Sequence, residues 1–166
     1  VFAAHMTREV IDAAHRVADD GRMTNTDTTN TDTTNTDTTN TDTTNTDTTT
    51  DLAALVDTHL AGYCEPDPAR RAALVAAAWQ PDGVLMDPPF EGSGHAGIAA
   101  LTDIVLEHFP AHTFRRTSGV DAHHEVARYR WELVAADGTV AVAGVDVVDV
   151  RDGRLARVVG FFGEPA

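Results

Sequence analysis

Residues 24–50 repeat the pentapeptide Thr-Asn-Thr-Asp-Thr five times and close on two further threonines. Nothing in the stretch is apolar beyond the threonine methyl, so it has nothing to bury. A strand turns alternate residues to opposite faces, so a five-residue repeat reverses its faces at every copy. An amphipathic helix needs an apolar residue about every 3.6 positions, and none is present. A pentapeptide solenoid would need a bulky apolar residue at the centre of each unit, and a flat threonine array would need a rigid scaffold beneath it. The segment reads as a disordered, acidic, solvated linker. It divides the chain into residues 1–23, the linker 24–50, and a domain over 51–166.

The first piece carries one thin amphipathic pattern. Val10, Ala13, Ala14 and Val17 recur at helical spacing, Thr7 can cap the start and Gly21 can end it. A lone helix of this length is marginal in water, so residues 1–23 are read as an N-terminal helix or extension.

Charge narrows the partners. Twelve cationic residues, all Arg, stand against 26 Asp and Glu, for a formal net charge of −14. A nucleic-acid surface needs phosphate-neutralising cations, and an anionic membrane needs the same. Neither partner is expected. No apolar run approaches the ~18 residues of a bilayer span, and no secretory signal pattern opens the chain. A cytoplasmic protein is the expectation. The single Cys64 excludes an internal disulfide and a Cys-rich zinc site.

The 116 residues from 51 to 166 are long enough for one core. Leu52, Leu55, Val56, His59 and Leu60 share a face of a helix predicted over Asp51–Tyr63. Pro68 opens a second helix over Ala69–Trp79, where proline is tolerated. Gln80-Pro81-Asp82-Gly83 reads as a turn, Val84–Met86 as a short strand and Pro88–Gly94 as a loop. Ile98, Leu101, Ile104 and Val105 mark a third helix over Ala96–Phe109. Four strand-like runs follow, at His112–Ser118, His124–Val134, Thr139–Val150 and Leu155–Phe162. Asp137-Gly138 and Asp152-Gly153 sit between consecutive runs as hairpin signals. The order predicts an α+β fold with helices on one face of a curved antiparallel sheet.

Three stretches in this order carry a resemblance: "DPARRAAL" in the helical opening, "DGVLMDPPFEGSGHAGIAAL" and "VAVAGVDVVDVRDGRLARVVGFFG". With them, residues 51–166 resemble the nuclear transport factor 2-like superfamily, in its SnoaL-like branch of polyketide cyclases and ketosteroid isomerases. The resemblance implies a cone, with three N-terminal helices packed on the sheet and a pocket inside. It also implies a homodimer.

Two carboxylates are the candidate catalytic residues. Asp87 ends the strand at Val84–Met86 and precedes a proline pair, and the resemblance implies the general-base position. Its bland alternative is an acid accepting backbone N–H bonds in the following loop. Asp146 shares a strand face with Val140, Val142, Gly144, Val148 and Val150, where a charge is costly unless paired or protonated. The resemblance implies a protonated acid that donates to a developing oxyanion; the alternative is an acid satisfied by an Arg or Ser across the sheet. Desolvation is expected to raise Asp146 and keep it partly protonated near neutrality, while the backbone donors and water of the Gly- and Pro-rich loop keep Asp87 ionised. Ketosteroid isomerases also use a first-helix tyrosine. His59 occupies the matching position here, with Tyr63 one turn later on the same face.

Trp79, Trp131 and Phe162 complete the candidate pocket. Tyr129, Trp131 and Leu133 share one strand face, and its apolar content turns Trp131 inward. Other chemistries find less support. Arg128-Tyr-Arg130 stands where relatives that hydrolyse limonene epoxide need Arg-x-Asp. His123 and His124 would face opposite ways on a strand, and Pro110 separates His108 from His112, so no metal site is expected. "GSGHAG" follows no dinucleotide-binding unit, and no cofactor is expected. The sequence therefore reads as a pocket for a hydrophobic small molecule. The leading function is acid–base chemistry on a carbonyl compound by a cofactor-free isomerase or cyclase. The alternative is a non-catalytic module of the same fold that binds a ligand or dimerises.

Overall fold

The computed structural model describes residues 45–87 and 90–163, with side chains from Leu52 onward. The pattern over 1–23 and the repeat up to residue 44 lie outside the described residues.

Three helices precede most of the sheet. Helix α1 runs Asn45–Gly62, six residues earlier than the predicted start at Asp51. Val56, His59 and Leu60 are buried along it and Tyr63 in the turn that ends it, the i, i+3, i+4, i+7 spacing of one face. Once that face is anchored, each added N-terminal residue gains a backbone bond without a new nucleus. The last repeat copy can therefore continue the helix. Helix α2, Pro68–Ala78, is capped by Asp67, whose side chain accepts from the Arg70 N–H at 2.9 Å. Its buried Arg71 donates to the carbonyls of Glu65 (2.8 Å) and Pro66 (3.2 Å) and pairs with Asp103. These bonds tie the α1–α2 connection to the third helix, α3, Gly94–His108. Among the described residues no helix is long and apolar enough to cross a membrane.

Seven strands form one curved, unclosed sheet. They are β1 Trp79–Asp87, β2 Phe90–Ser93, β3 Thr113–Arg116, β4 Asp121–His123, β5 Val126–Val134, β6 Val140–Arg151 and β7 Arg154–Phe162. The spatial order is β2-β1-β7-β6-β5-β3, with β4 also paired to β5. All pairs are antiparallel except β1–β7. That exception makes the sheet mixed, because α3 and strands β3–β6 intervene in sequence between those neighbours. The β6–β7 hairpin turns at Asp152 (φ 49°) and Gly153 (φ 71°), two positive φ values of the kind a tight I′ turn needs.

Three further boundaries differ from the sequence reading. The predicted turn at 80–83 is part of β1, where the register jumps between Trp79↔Leu155 and Val84↔Arg157. This irregularity accommodates Pro81, which has no N–H for a ladder. Residues 90–93, read as loop, form the short edge strand β2, whose glycine and serine give no apolar alternation. The run 124–134 begins with a turn at His124 (φ 54°), and Asp121–His123 folds back on β5.

Alternation along the central strands sorts the faces. Ala127, Tyr129, Trp131 and Leu133 on β5, Gly144, Asp146 and Val148 on β6, and Leu155, Val158 and Gly160 on β7 are buried. Residues between them point to the opposite, more exposed face, Phe161 most of all among the large hydrophobics. The buried face carries the candidate site.

Candidate functional site

Three adjacent strands bring the two carboxylates together. Asp146 on β6 stands opposite Gly160 on β7. On the other side of β7, β1 runs in register Leu85↔Val158 and Met86↔Val159, so Asp87 follows beside Gly160. Leu85 is buried on the inner face, and Asp87, two residues on, shares that face. A Cβ placed on Gly160 would lie 2.7 Å from the Asp87 Cγ and 3.3 Å from Asp146 Oδ1. The carboxyls therefore lean toward each other over one glycine.

Asp146 is buried, and both its oxygens accept hydrogen bonds. The Tyr129 hydroxyl, directly cross-strand, donates to Oδ2 at 2.7 Å, and the Trp131 indole N–H donates to Oδ1 at 2.7 Å. Gly144, opposite Trp131, makes the second bond possible: a Cβ there would stand 2.6 Å from the indole. The satisfying partners are aromatic residues of the same strand pair, not the Arg or Ser considered from sequence. Asp87 contrasts with this. Its Oδ1 is buried and has no hydrogen-bond partner among the described residues, so the backbone-bonded alternative for that atom does not hold.

The two environments set the proton distribution: Asp146 is raised by burial as expected, but Asp87 is raised further, which reverses the expected order. Burial pushes the Asp87 carboxyl up to about 8, with the nearby Asp146 charge adding to the effect. Burial also raises Asp146, but the Tyr129 and Trp131 donors hold it to about 6. Near neutrality Asp87 carries the proton and Asp146 the charge. The valine-rich face showed the burial that raises Asp146, but periodicity does not show the donors opposite that limit the rise.

Helix α1 supplies the other side. Tyr63 is buried, and its hydroxyl is held well above the usual tyrosine range by burial and by the charges of Asp87 and Asp146. Tyr129 is raised by burial and the Asp146 charge, with smaller effects of Tyr63 and Asp87. His59 meets Tyr63 and Trp79 edge-on, each at 5.2 Å between ring centres. The Trp79 indole donates to His59 Nδ1 at 3.2 Å, which places the proton of a neutral imidazole on Nε2. Burial lowers the His59 pKa to about 3, so the ring stays neutral. His59 and Trp79 thus brace Tyr63.

An aromatic chain closes the wall. Tyr63 packs on Phe114 (5.1 Å), Phe114 on Trp131 (5.2 Å), and Trp131 edge-on to Phe162 (6.0 Å). Phe162 is 39 % exposed and marks the outer end of this chain. Cys64 is raised by burial, and its sulfur accepts the Phe114 N–H at 3.0 Å, an inert setting. Arg115 and Arg116 pair with Glu132 and Asp57. Among the described residues no three His, Cys, Asp or Glu side chains are grouped to hold a metal.

Sequence reasoning missed Gly160 and the bonding role of Tyr129. The signal for Tyr129 was its place on the Trp131 face; for Gly160 it was a glycine inside an otherwise apolar strand.

The SnoaL-like domain family matches residues 60–158, a span from the end of α1 into β7. The chain belongs to the SnoaL-like family. Among solved structures, this SnoaL-like domain is similar to a candidate isomerase of the same family from Agrobacterium tumefaciens strain C58. The two share 34 % identity over 69 % of this chain and 99 % of the other, with a TM-score of 0.65. More distant fold relatives include a candidate ketosteroid isomerase from Kribbella flavida (21 % identity, 71 % and 82 % covered, TM-score 0.52). Another is a candidate polyketide cyclase from Sinorhizobium meliloti (16 % identity, 68 % and 98 % covered, TM-score 0.52). No curated protein matches the chain. The SnoaL-like domain here has the nuclear transport factor 2-like architecture, three helices on a curved mixed sheet.

Proposed function

We propose that this SnoaL-like domain moves a proton on a hydrophobic carbonyl compound, as an isomerase or cyclase does. The single observation that carries the reading is the Asp87–Asp146 pair, a half-buried carboxyl with a buried Oδ1 beside a fully buried one, in unequal environments. Unequal acids at one site supply a donor and an acceptor at the same pH. Asp87, protonated and with a free Oδ1, is assigned to donate to the carbonyl oxygen as negative charge develops there. Asp146, ionised and oriented by Tyr129 and Trp131, is assigned to take the proton from the adjacent carbon. Each carboxylate oxygen has two lone pairs, so one bond from the protein leaves room for a second. His59, Tyr63, Trp131 and Phe162 would hold the apolar body of the compound. The similarity to a candidate isomerase supports the same class of reaction. We further propose that the domain works as a homodimer paired through the outer face of the sheet.

The test is hydrogen–deuterium exchange at the carbon next to a carbonyl, followed by proton NMR on β,γ-unsaturated ketones and cyclic 1,3-diketones. Accelerated exchange with the native chain, lost in Asp146→Asn and reduced at least tenfold in Asp87→Asn, is the expected result. Exchange at the buffer rate across the panel, or equal rates in native chain and both variants, would overturn the reading.

A further inference from the structure

We propose that Gly160 is the positioning residue that joins Asp87 and Asp146 into one proton-holding unit. Adjacent strands are about 4.8 Å apart, and Asp87 and Asp146 lie on strands separated by β7. Two short carboxyl side chains can meet across that interval only if nothing projects between them. Gly160 stands at that point. It pairs with Asp146 in the β6–β7 ladder and follows Val159 in register with β1. The Asp87 carboxyl occupies the space a Cβ at 160 would take, with its Cγ 2.7 Å from that position and Asp146 Oδ1 at 3.3 Å. Gly160 is outside the left-handed region, so no backbone conformation demands a glycine. The demand comes from the side chains on either side.

The groups facing this unit are few. Asp146 faces Asp87 from β6, Tyr129 from β5 and Tyr63 from the turn after α1, with neutral His59 behind Tyr63. Among these, Asp146 is the group that carries charge near neutrality. Any side chain at 160 would stand between it and Asp87 and drive the Asp87 carboxyl from the space it occupies.

The inference deepens the proton-transfer reading and rests on the same pair, but its test measures the carboxyls themselves. A coupled pair inert toward every ketone would overturn the function and leave the Gly160 assignment standing. The experiment compares the native chain with Gly160→Ala, Asp87→Ala and the double variant, by thermal unfolding and by carbon-detected NMR titration. Gly160→Ala is expected to lower the melting temperature by several degrees. The same substitution in the Asp87→Ala background is expected to be near neutral, because the added methyl fills space the carboxyl has left. In folded Gly160→Ala, Asp87 is expected to bind its proton at least tenfold more weakly. If Gly160→Ala fails to fold, a folded double variant supports the assignment equally, since removing the carboxyl has then restored the fold. Equal destabilisation in both backgrounds, or failure of both to fold, would overturn the assignment. So would an unchanged Asp87 titration in folded Gly160→Ala.

Discussion

Tyr129 and Asp146 stand directly opposite each other on β5 and β6, and the tyrosine hydroxyl donates to Asp146 Oδ2 at 2.7 Å. With the Trp131 indole on Oδ1, this bond counteracts a burial that favours the neutral acid. A hydrogen bond to a charged group contributes about 1.5–3 kcal/mol, equivalent to about one to two pH units. Tyr129→Phe is therefore expected to raise the Asp146 titration from about 6 by that amount, and Trp131→Phe to do the same through the other oxygen. Carbon-detected NMR on the aspartate carboxyls reads both shifts. An unmoved Asp146 in both variants would show that burial alone sets its proton affinity.

Asp87 makes stability depend on pH in a direction opposite to that of a surface carboxylate. Its folded pKa, about 8, lies above the ordinary aspartate value of about 3.9. Between these values the folded state holds a proton that the unfolded state has released. The associated stability is fully present below about pH 4 and is lost as pH rises through 8. Asp146 adds the same sign up to about 6. Between pH 6 and 8 the slope belongs to Asp87. Asp87→Asn is expected to flatten the urea-unfolding stability across that window and to exceed the native chain in stability at pH 8. A native profile already flat from 6 to 8 would contradict the raised proton affinity.

Much of this was legible in the residues. The helical face Val56-His59-Leu60-Tyr63, the Pro68 helix start and the two Asp-Gly hairpins are local signals, and each appears where its spacing placed it. The alternating strands also showed that Trp131 and Asp146 turn inward. Strand neighbours were not legible, and the site depends on them. Nothing local in Trp79–Asp87 says that it lies parallel to β7, so nothing in it says that Asp87 meets Gly160 and, beyond it, Asp146. The order of the two proton affinities failed for the same reason. Burial of Asp146 could be read from its valines, but the donors that lower it come from the paired strand.

His59 gives the acid side of the profile. Its folded pKa, about 3, lies below the ordinary histidine value of about 6.5 because the buried ring cannot accept charge cheaply. Its contribution to stability is fully present above about pH 6.5 and is lost as pH falls toward 3. Between about pH 4 and 6 the two aspartates act with opposite sign and outweigh the single histidine, so its destabilising effect emerges only below about pH 4, where both aspartates are protonated in both states. His59→Gln keeps an acceptor for the Trp79 indole and removes the titration. The variant is expected to unfold at a lower pH than the native chain in an acid titration followed by tryptophan fluorescence. An identical acid midpoint would assign acid unfolding to the surface ion pairs instead.

The outer face of the sheet tests the proposed assembly. Phe161 is 57 % exposed and pairs in the ladder with Val145, while Val147 pairs with Val159 and Val159 with Met86. Alternation turns these side chains away from Asp87 and Asp146. A contiguous apolar patch of this kind on a sheet face favours burial against another surface. A second copy offers the same patch and can cover it symmetrically. Light scattering at micromolar concentration is expected to give twice the mass of the chain. Phe161→Asp places a charge on the most exposed apolar side chain of the patch and is expected to shift that mass to one chain. Because the residue faces away from the carboxyl pair, the Asp87 and Asp146 titrations should keep their order in the variant. A native chain that already scatters as a monomer would remove the dimer from the proposal and leave the inner face unaffected.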